Sequence, residues 1–327
     1  TSLKDIKELP IITKELIRKN NLDFVSNYFD KKKLLTQVTS GTTGTPLEIF
    51  KTEKSNSLFF ALGWRHKSRF GLTINDRRLT CSGRIAKSYE PNDLVIANSL
   101  FTNRSYFNGC DINENNIDKF SDYLNKNSFG FYEGYPSVVD WLAQLLNKNK
   151  LRILNRPKLI VTGSEQTSKV QKERWLKTFG ARTTEFYGTA EFVGCLSECE
   201  YGNLHEDFEC GHIEIIPTDD EYTKKMIQTG WGNPAMPFIR YNIGDTVKPK
   251  DGKCPCGRES KIFEDLSGRE EDYIITPNKG KLMGLSQVFN KAKNVIQMQA
   301  EQNTINSVNL KIVPSKNFEK SDLDILL

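Results

Sequence analysis

The sequence predicts an α/β protein, and three observations support this. Short apolar runs with the period of strands alternate along the chain with longer segments that have the period of helices. Such alternation is typical of a sheet with helices packed against it. The 327 residues and 37% hydrophobic content are enough for a large core in two or more subdomains. No apolar run approaches the roughly 20 residues of a membrane span.

The same periodicities place the individual elements. Helices are predicted over residues 55–69, 116–124, 137–146, 168–179 and 281–296. Strands are predicted over residues 159–162, 183–187, 212–216, 238–243 and 308–313. For the helix 137–146, Ser137 is a favourable N-cap. Apolar residues recur on one face of it: Val138, Trp141, Leu142 and Leu145. We interpret that face as core packing rather than as a ligand site.

The charge balance argues against some functions. The formal net charge is +5, from 46 basic and 41 acidic residues. The only tight basic run, Lys31-Lys32-Lys33, fits a solvated turn, so neither a basic face nor a recognition motif predicts nucleic-acid binding. Residues 1–10 lack a signal-peptide pattern and an initiator methionine. We therefore expect a cytoplasmic protein without membrane insertion and a trimmed N-terminus.

A segment rich in glycine and hydroxyl side chains follows the apolar residues 34–38. It consists of Thr39, Ser40, Gly41, Thr42, Thr43, Gly44, Thr45 and Pro46. Glycines allow a tight fold with inward-pointing N–H groups, and such a concave run of amides attracts anions. The segment therefore predicts a cradle for a triphosphate, the alternative being a plain turn. It is not a Walker A loop, because Thr45 stands where a lysine is expected.

Five further motifs follow the glycine-rich segment in a fixed order. They are Tyr135-Pro136-Ser137, Val161-Thr162-Gly163-Ser164-Glu165, Glu185-Phe186-Tyr187-Gly188-Thr189-Ala190-Glu191, Arg240-Tyr241-Asn242-Ile243-Gly244-Asp245 and Gly268-Arg269-Glu270-Glu271-Asp272. Together they resemble the adenylate-forming superfamily of acyl-activating enzymes. More narrowly, they resemble its phenylacetate–CoA ligase branch, which includes the CapK-type proteins linked to capsular polysaccharide synthesis. The resemblance runs from about Leu9 to the end of the chain.

The resemblance implies two domains. Residues 1–270 would form a large, multi-sheet nucleotide- and acyl-binding domain, and residues 271–327 a small α+β C-terminal lid, with a hinge at 268–272. A lid of this length is short, and it lacks the lysine-bearing segment that superfamily enzymes carry near their C-terminus. The N-terminus also begins later than in family members. We expect the chain as given to be truncated; the alternative is that it adenylates poorly.

For the nucleotide, the resemblance implies a set of binding residues. The glycine-rich segment would hold the β- and γ-phosphates, Tyr187 would pack beside the adenine, and Asp245 would accept hydrogen bonds from the ribose hydroxyls. The full set is Thr39, Ser40, Gly41, Thr42, Thr43, Gly44, Thr45, Ser164, Glu165, Phe186, Tyr187, Gly188 and Asp245.

Three residues are implied to act in catalysis. Thr189 would approach the α-phosphate. Glu191 would bind Mg²⁺, which prefers carboxylates and phosphate oxygens. Arg269 would reach ribose or phosphate oxygens when the lid closes, since its guanidinium geometry suits phosphate. The alternatives are a surface carboxylate for Glu191 and a surface salt bridge for Asp245 and for Arg269.

The residues of the acyl pocket are the hardest to predict from the sequence. By the resemblance, it would draw on the segments around four aromatic residues: Phe101, Tyr106, Phe131 and Tyr135. Plain core packing is the alternative for each of them. No charged residue stands out as a partner for a second carboxylate or an amine on the substrate.

The cysteines suggest a metal site apart from the nucleotide. There are seven: Cys81, Cys110, Cys195, Cys199, Cys210, Cys254 and Cys256. Without a signal peptide, disulfides are not expected. Cys199, His205, Cys254 and Cys256 offer three thiolates and an imidazole, a set that suits structural Zn²⁺ with no open position. Members of the same branch carry a Cys/His cluster in this region. Reduced free thiols remain the alternative, and Cys195 or Cys210 could replace one ligand.

The resemblance predicts an ATP- and Mg²⁺-dependent ligase that joins a small-molecule carboxylic acid to AMP. An acceptor then takes the acyl group: CoA, a carrier-protein thiol or an amine. Only the resemblance to the family suggests a homodimer. The alternative is a non-catalytic nucleotide-binding member acting in an assembly, such as polysaccharide biosynthesis. A zinc-ribbon protein that binds nucleic acid is a third hypothesis, and it predicts salt-dependent affinity.

Overall fold

The computed structural model describes residues 5–39, 47–82, 96–99, 101–217, 224–267, 274–275, 281–282, 295–314, 318–319 and 322. Within these residues the α-helices are α1 (Lys14–Lys19), α2 (Glu53–Ser68), α3 (Ile117–Lys126), α4 (Pro136–Lys148) and α5 (Lys169–Phe179). Short 3₁₀ helices span Asp5–Glu8, Asn21–Phe24, Lys31–Lys33 and Gly109–Asp111. None of the described helices is both long and apolar enough to cross a membrane.

The strands alternate with the helices in the first part of the chain and then follow one another. The described strands are β1 (Ile12–Thr13), β2 (Leu35–Val38), β3 (Glu48–Lys51), β4 (Arg78–Ser82), β5 (Ile96–Ser99), β6 (Arg104–Asn108), β7 (Phe131–Gly134), β8 (Leu159–Thr162), β9 (Arg182–Gly188), β10 (Cys195–Glu198), β11 (Leu204–Glu206), β12 (Gly211–Pro217), β13 (Lys224–Gly230), β14 (Tyr241–Lys250), β15 (Ile262–Ser267), β16 (Ile274–Ile275), β17 (Lys281–Leu282), β18 (Val295–Thr304) and β19 (Ser307–Pro314).

Most of these strands form one large mixed sheet. Its order is β12-β13-β14-β15-β11-β10-β9-β8-β7-β4-β6-β5, and β1 adds to β14 in parallel. The central strands β6, β4, β7, β8 and β9 are mutually parallel. If these five strands are numbered 1 to 5 in chain order, their order across the sheet is 2-1-3-4-5, a doubly wound arrangement. Ligands of such sheets bind outside the carboxyl ends of the strands, near the point where the winding reverses. Here that point lies between β4 and β7.

Helices cover both faces of the parallel strands. On one face, α3, α4 and α5 bury a cluster that includes Phe120, Leu142, Trp175 and Phe179. On the other, Trp64 of α2 packs edge-on against Phe131 of β7 at 6.0 Å between ring centroids. The predicted α/β fold is therefore confirmed. Since helices cover both faces, the carboxyl-end edge of the parallel strands is where a ligand of such a sheet would bind.

The described elements agree with most of the sequence predictions. The helices predicted over 55–69, 116–124 and 168–179 correspond to α2, α3 and α5, and the last begins at Ser168 with a capping box. The strands predicted over 159–162, 183–187, 212–216 and 308–313 correspond to β8, β9, β12 and β19. The apolar face of α4 is core packing, as predicted.

Three predicted boundaries are wrong. Ser137 is not an N-cap: α4 begins at Pro136, whose fixed φ suits the first helical position. The strand predicted over 238–243 begins only at Tyr241, because Arg240 has a left-handed φ of 52° that interrupts an extended backbone. The helix predicted over 281–296 is wrong at both of its described ends. Residues 281–282 form β17, which pairs with β16, and residues 295–296 belong to β18, which pairs with β19. Residues 283–294 lie outside the described residues.

Candidate functional site

The candidate site is built at the carboxyl ends of three neighbouring parallel strands. Tyr135-Pro136-Ser137 follows β7, Ser164-Glu165 follows β8 and Thr189 follows β9. These are three of the motifs singled out in the sequence, and parallel strands bring their ends to one edge of the sheet. The topology therefore gathers motifs that are up to 50 residues apart in the chain.

Tyr187, near the end of β9, connects this edge to the antiparallel half of the sheet. Its hydroxyl donates to Asp245 Oδ2 at 2.7 Å and accepts from Gln228 Nε2 at 3.0 Å. Burial raises the pKa of Tyr187 well above its usual value, and the Asp245 carboxylate raises it further. Tyr187 is therefore a neutral phenol that holds Asp245 of β14 beside the end of β9. No motif in the sequence marks Gln228 as part of this contact.

Glu191 lies in the turn that follows β9. Its side chain is buried, with 4% of the residue exposed, and Oε1 accepts a hydrogen bond from Tyr241 Oη at 3.1 Å. The Lys51 ammonium lies near enough for the Glu191 carboxylate to raise the pKa of Lys51, although burial lowers that pKa overall. Glu191 is thus not the surface carboxylate of the alternative interpretation. Tyr241 belongs to the Arg240–Asp245 motif, so the sequence could have indicated it.

Thr189 and Thr39 have different surroundings. The Thr189 hydroxyl oxygen is buried and has no hydrogen-bond partner in the described part of the chain. Thr39 closes the base of the glycine-rich segment, because its N–H donates to the Leu47 carbonyl at 2.9 Å and its hydroxyl accepts from Leu47 N at 3.0 Å. The other predicted members of that segment, and Arg269, lie outside the described residues: Ser40, Gly41, Thr42, Thr43, Gly44, Thr45 and Pro46.

Ser164 and Glu165 lie just after the end of β8. Ser164 has a left-handed φ of 69°, which turns the chain sharply there. The Glu165 carboxylate accepts from the Ser137 backbone N–H at 2.9 Å and from the Ser137 hydroxyl at 3.0 Å. Carboxylates stabilise helix N-termini by satisfying free N–H groups. Glu165 therefore fastens α4 to the end of β8, a role the sequence did not suggest. Its predicted place near adenine stays a prediction.

The four aromatic residues suggested for the acyl pocket are not brought together. Phe131 is fully buried at the start of β7, whereas half-buried Tyr135 follows the other end of that strand. Phe101 is fully exposed. The Tyr106 hydroxyl accepts from Arg104 at 2.9 Å. Phe131 is core, as the alternative interpretation had it.

A second cluster contains the residues predicted to bind zinc. The ligand atoms of Cys199, His205, Cys254 and Cys256 all lie within 4.8 Å of one another. The Sγ atoms of Cys199 and Cys254 are 3.6 Å apart, and Cys256 Sγ is 3.3 Å from His205 Nε2. Ligands at 2.3 Å around a tetrahedral zinc are about 3.8 Å apart, so these separations suit such an ion.

The surroundings of this cluster also suit a metal. Burial lowers the pKa of His205 to about 4, with Arg258 and Arg69 adding to the effect, so the imidazole is neutral near pH 7, as ligation requires. Asn203 Nδ2 donates to Cys254 Sγ at 3.2 Å. Cys195 and Cys210 do not replace a ligand: their Sγ atoms lie 3.0 Å from each other in a separate buried cluster with Phe192.

Glu185 precedes the tyrosine-glycine motif on β9 and contacts a buried charge network. Its carboxylate lies 2.6 Å from Lys172 Nζ, which also lies 3.1 Å from Glu198. Burial raises the pKa of Glu185 to about 7; Lys172 opposes the shift and Glu198 adds to it. This network could not be predicted from the sequence, because its three members meet only when α5, β9 and β10 pack together.

The Glu185 carboxyl predicts a pH dependence of stability. Its folded pKa lies above the ordinary value of 4.5, so the folded state holds a proton that the unfolded state has released between those two values. The contribution of this group to the free energy of unfolding is therefore fully present below pH 4.5 and is lost as the pH rises through about 7. The loss is no more than about 1.4 kcal/mol per pH unit.

We expect Glu185→Gln to lose this dependence, because an amide does not titrate. Melting temperatures of both proteins at pH 5.5 and pH 8 provide the measurement. The drop between the two pH values should be larger in the wild type than in the variant. Equal drops in both would contradict the assignment, and Glu264→Gln, on the surface beside Lys248, serves as the control carboxyl.

Comparison with known proteins supports the predicted fold. No protein-family model matches the chain. The chain is 23% identical over 328 residues to Protein CapK of Staphylococcus aureus. The match covers 98% of this chain and 72% of CapK. An open conformation of 2-hydroxyisobutyryl-CoA ligase, in complex with 2-HIB-AMP and CoA, superposes with a TM-score of 0.62 at 16% identity, over 99% of this chain and 79% of the ligase.

A second ligase superposes less closely. The anthranilate CoA ligase in complex with anthranoyl-AMP has a TM-score of 0.50 at 11% identity, over 90% of this chain and 60% of that ligase. The chain therefore has the fold of the adenylate-forming CoA ligases, as the motifs predicted. Its similarity to CapK over nearly its whole length agrees with the CapK-like branch of that superfamily.

Proposed function

We propose that this chain is an ATP-dependent carboxylate ligase. It forms an acyl-adenylate and pyrophosphate, and it then transfers the acyl group to CoA or to another thiol or amine. Two hydrogen bonds support this most: Tyr187–Asp245 joins the end of β9 to β14, and Tyr241–Glu191 joins β14 to the turn after β9. The two ligases compared above were solved with 2-HIB-AMP and with anthranoyl-AMP, and the first of them also with CoA.

In the first step, a carboxylate oxygen attacks the α-phosphorus of ATP. A new O–P bond forms, the bond from the α-phosphorus to the bridging oxygen breaks, and its electron pair leaves with pyrophosphate. Two anions must approach, so the site has to neutralise charge and align the reacting groups. In the second step, the sulfur or nitrogen of the acceptor attacks the acyl carbon and gives up its proton to solvent. The bond from that carbon to the phosphate oxygen breaks, and AMP leaves with the electron pair.

The residues of the site would divide this work among them. Asp245, held by Tyr187, would bind the ribose hydroxyls, and the Tyr187 ring would flank the adenine. The Thr189 hydroxyl, which has no partner in the described part of the chain, would donate to the α-phosphate. Residues 39–45 and Arg269 would bind phosphate oxygens. We further propose that residues 271–327 act as the lid over residues 1–270.

Glu191 is a suitable ligand for Mg²⁺. It is buried, it lies at the same edge as Thr189, and Tyr241 restrains one of its oxygens while the other can bind a cation. Magnesium is usually held by one or two carboxylates together with substrate phosphates. When bound, the ion would neutralise charge on the phosphates of ATP.

ATP-dependent pyrophosphate release tests the proposed function. The chain is incubated with MgATP and a panel of aryl, fatty, amino and hydroxy acids, with hydroxylamine as acceptor. Release with one class of acid is expected, and it would identify the substrate class. If MgATP binds but no acid in the panel causes release, the ligase proposal is contradicted and the non-catalytic alternative is favoured.

We also propose that Cys199, His205, Cys254 and Cys256 hold a structural zinc ion. Three thiolates and a neutral imidazole leave no open position, so the ion would not act on substrate. Cys199 directly follows β10, His205 lies in β11, and Cys254 and Cys256 lie in the turn between β14 and β15. Zinc would therefore fix that turn against β11 and against the end of β10, the strand that pairs with β9.

Metal analysis tests the zinc proposal. We expect about one zinc per chain in the purified protein, and we expect Cys256→Ser to lose it together with thermal stability, since the binding energy of a structural zinc adds to folding. Cys81→Ala is the matched control, a buried thiol outside the cluster. A wild-type protein that neither contains zinc nor takes it up would contradict the proposal.

A further inference from the structure

A buried amide lies on β13, next to an apolar cluster. The Gln228 side chain is fully buried, and its Nε2 lies 4.0 Å from the sulfur of Met226. Met226 packs in an apolar cluster with Leu196, Leu204, Ile213, Val247 and Phe263. An amide in such surroundings loses its hydration, and this costs free energy unless its polar atoms are hydrogen-bonded. A leucine would fill this position without that cost, so core packing does not explain the amide.

Only one end of this amide is hydrogen-bonded. Nε2 of Gln228 donates to the Tyr187 hydroxyl at 3.0 Å. Oε1 is buried and has no hydrogen-bond partner in the described part of the chain. A Cβ at Gly194 would lie 2.7 Å from this Oε1, so the glycine leaves the space that the oxygen needs. Because a buried acceptor without a partner costs at least as much as a typical hydrogen bond contributes, the stability of the fold does not explain Gln228 either.

The hydrogen bond from Gln228 sets the direction of the next one. The Tyr187 hydroxyl has one proton and can also accept, whereas an amide nitrogen can only donate. Since the Tyr187 oxygen accepts from Gln228 Nε2, its own proton is directed to Asp245 Oδ2 at 2.7 Å. Met226 Sδ is a weak acceptor, so it suits the nitrogen end of the amide on this side. Three side chains, from β13, β9 and β14, therefore form hydrogen bonds that run in one direction.

We infer that Gln228 is a positioning residue for the nucleotide, which fixes Tyr187 and through it the Asp245 carboxylate that binds the ribose hydroxyls. This inference rests on the proposed function, in which Asp245 has that role. Gln228 is fully buried, so it acts through Tyr187 and does not touch the ligand. Because these hydrogen bonds end at Asp245, their loss weakens recognition of the ribose.

Preference for ATP over 2′-deoxy-ATP measures this role. Dissociation constants for both are determined by calorimetry on the wild type and on Gln228→Met, which has a similar length and no N–H donor. We expect the wild type to prefer ATP and the variant to lose at least about threefold of that preference, since a typical hydrogen bond corresponds to about fivefold in affinity. Its melting temperature should be no lower than that of the wild type, because the unpaired acceptor is removed. Gln144→Met removes an amide that donates to Asp140 on α4, and as the control it should keep the full preference.

A double-mutant cycle tests whether Gln228 acts through Tyr187. Tyr187→Phe removes the hydroxyl that connects Gln228 to Asp245. In that background, Gln228→Met should therefore change the preference for ATP by less than about 1.5-fold. An effect of Gln228 on packing alone would give the same loss in both backgrounds, and that result overturns the inference.

The remaining outcomes separate this inference from the proposed function. Full preference for ATP in Gln228→Met overturns the inference, because Asp245 is then positioned without the amide. A melting temperature well below that of the wild type in both Gln228→Met and Gln228→Leu also overturns it, since the amide then serves the fold. A wild type that binds ATP and 2′-deoxy-ATP equally contradicts the ribose role of Asp245 and the inference with it. A wild type that binds neither nucleotide contradicts the proposed function itself.

Discussion

Replacing Glu191 with glutamine is expected to lower the rate of pyrophosphate release at least about a hundredfold. Glutamine keeps the shape of the side chain, and its carbonyl oxygen can still accept from Tyr241 Oη, so the turn after β9 should persist. The substitution removes the negative charge proposed to hold Mg²⁺. Loss of one electrostatic contact to a transition state typically costs about 10²–10³ in rate. AMP binding should remain close to that of the wild type.

Steady-state kinetics at varied MgATP concentration measure this effect. The loss should fall mainly on kcat, and melting temperatures of wild type and variant establish that both are folded. Glu264→Gln, an exposed carboxylate paired with Lys248, is the control and should match the wild type in rate. A Glu191→Gln variant that is folded and releases pyrophosphate within fivefold of the wild-type rate would remove Glu191 from the mechanism.

Gly134→Ala is expected to cause the largest loss of stability among single substitutions in the parallel strands. A Cβ at Gly134 would lie 1.7 Å from the backbone oxygen of Cys81, a contact that only movement of β4 or β7 can relieve. The two residues pair in register, and the Cys81 oxygen also accepts from Tyr135 N at 2.9 Å. We expect a loss above about 3 kcal/mol, near the upper end for point mutations.

Urea unfolding of the two proteins provides the measurement. Gly63→Ala is the matched control: its Cβ would meet its nearest atoms at 3.8 Å and 3.9 Å, which is ordinary contact, and alanine favours the helix α2. It should be neutral or slightly stabilising. A Gly134→Ala protein within about 1 kcal/mol of the wild type would show that β4 and β7 can separate at this end without harm.

The position of Gly134 relates this prediction to function. β4 and β7 meet where the winding of the sheet reverses, and the Tyr135-Pro136-Ser137 motif follows directly. Because Glu165 fastens Ser137 to the end of β8, a shift of β7 would also displace α4 relative to β8. Any Gly134→Ala protein that folds should therefore bind nucleotide less tightly.

The parts of the fold that could be predicted are those with local signals. The apolar run of β8 is bounded by polar residues, and both β8 and α5 were identified correctly. Ser168 is the N-cap of α5 and forms a capping box with Gln171, a signal that is also local. Residues 281–282 and 295–296 were predicted to be helical but form strands, because pairing with β16 and β19 overrides a helical pattern. Pairing partners are set by the tertiary fold, which a single-sequence pattern does not contain.

In the candidate site, too, the residues with local sequence signals could be predicted and the others could not. Tyr187, Glu191 and Asp245 were singled out because their motifs are local, and the four proposed zinc ligands because their donor types suit one metal. Lys51 was not singled out, because a lysine in a short strand is typical of a solvated face. Only the folded structure shows that 4% of it is exposed and that its ammonium lies 6.0 Å from the centre of the Phe59 ring.

Exchange of labelled pyrophosphate into ATP tests the central claim most directly, because it reports formation of the acyl-adenylate without requiring the second acceptor. We expect label to enter ATP only when a carboxylic acid of the right class is present, and we expect Glu191→Gln to abolish this exchange. Binding of MgATP without exchange for any acid in the panel would contradict the claim that this site activates carboxylates.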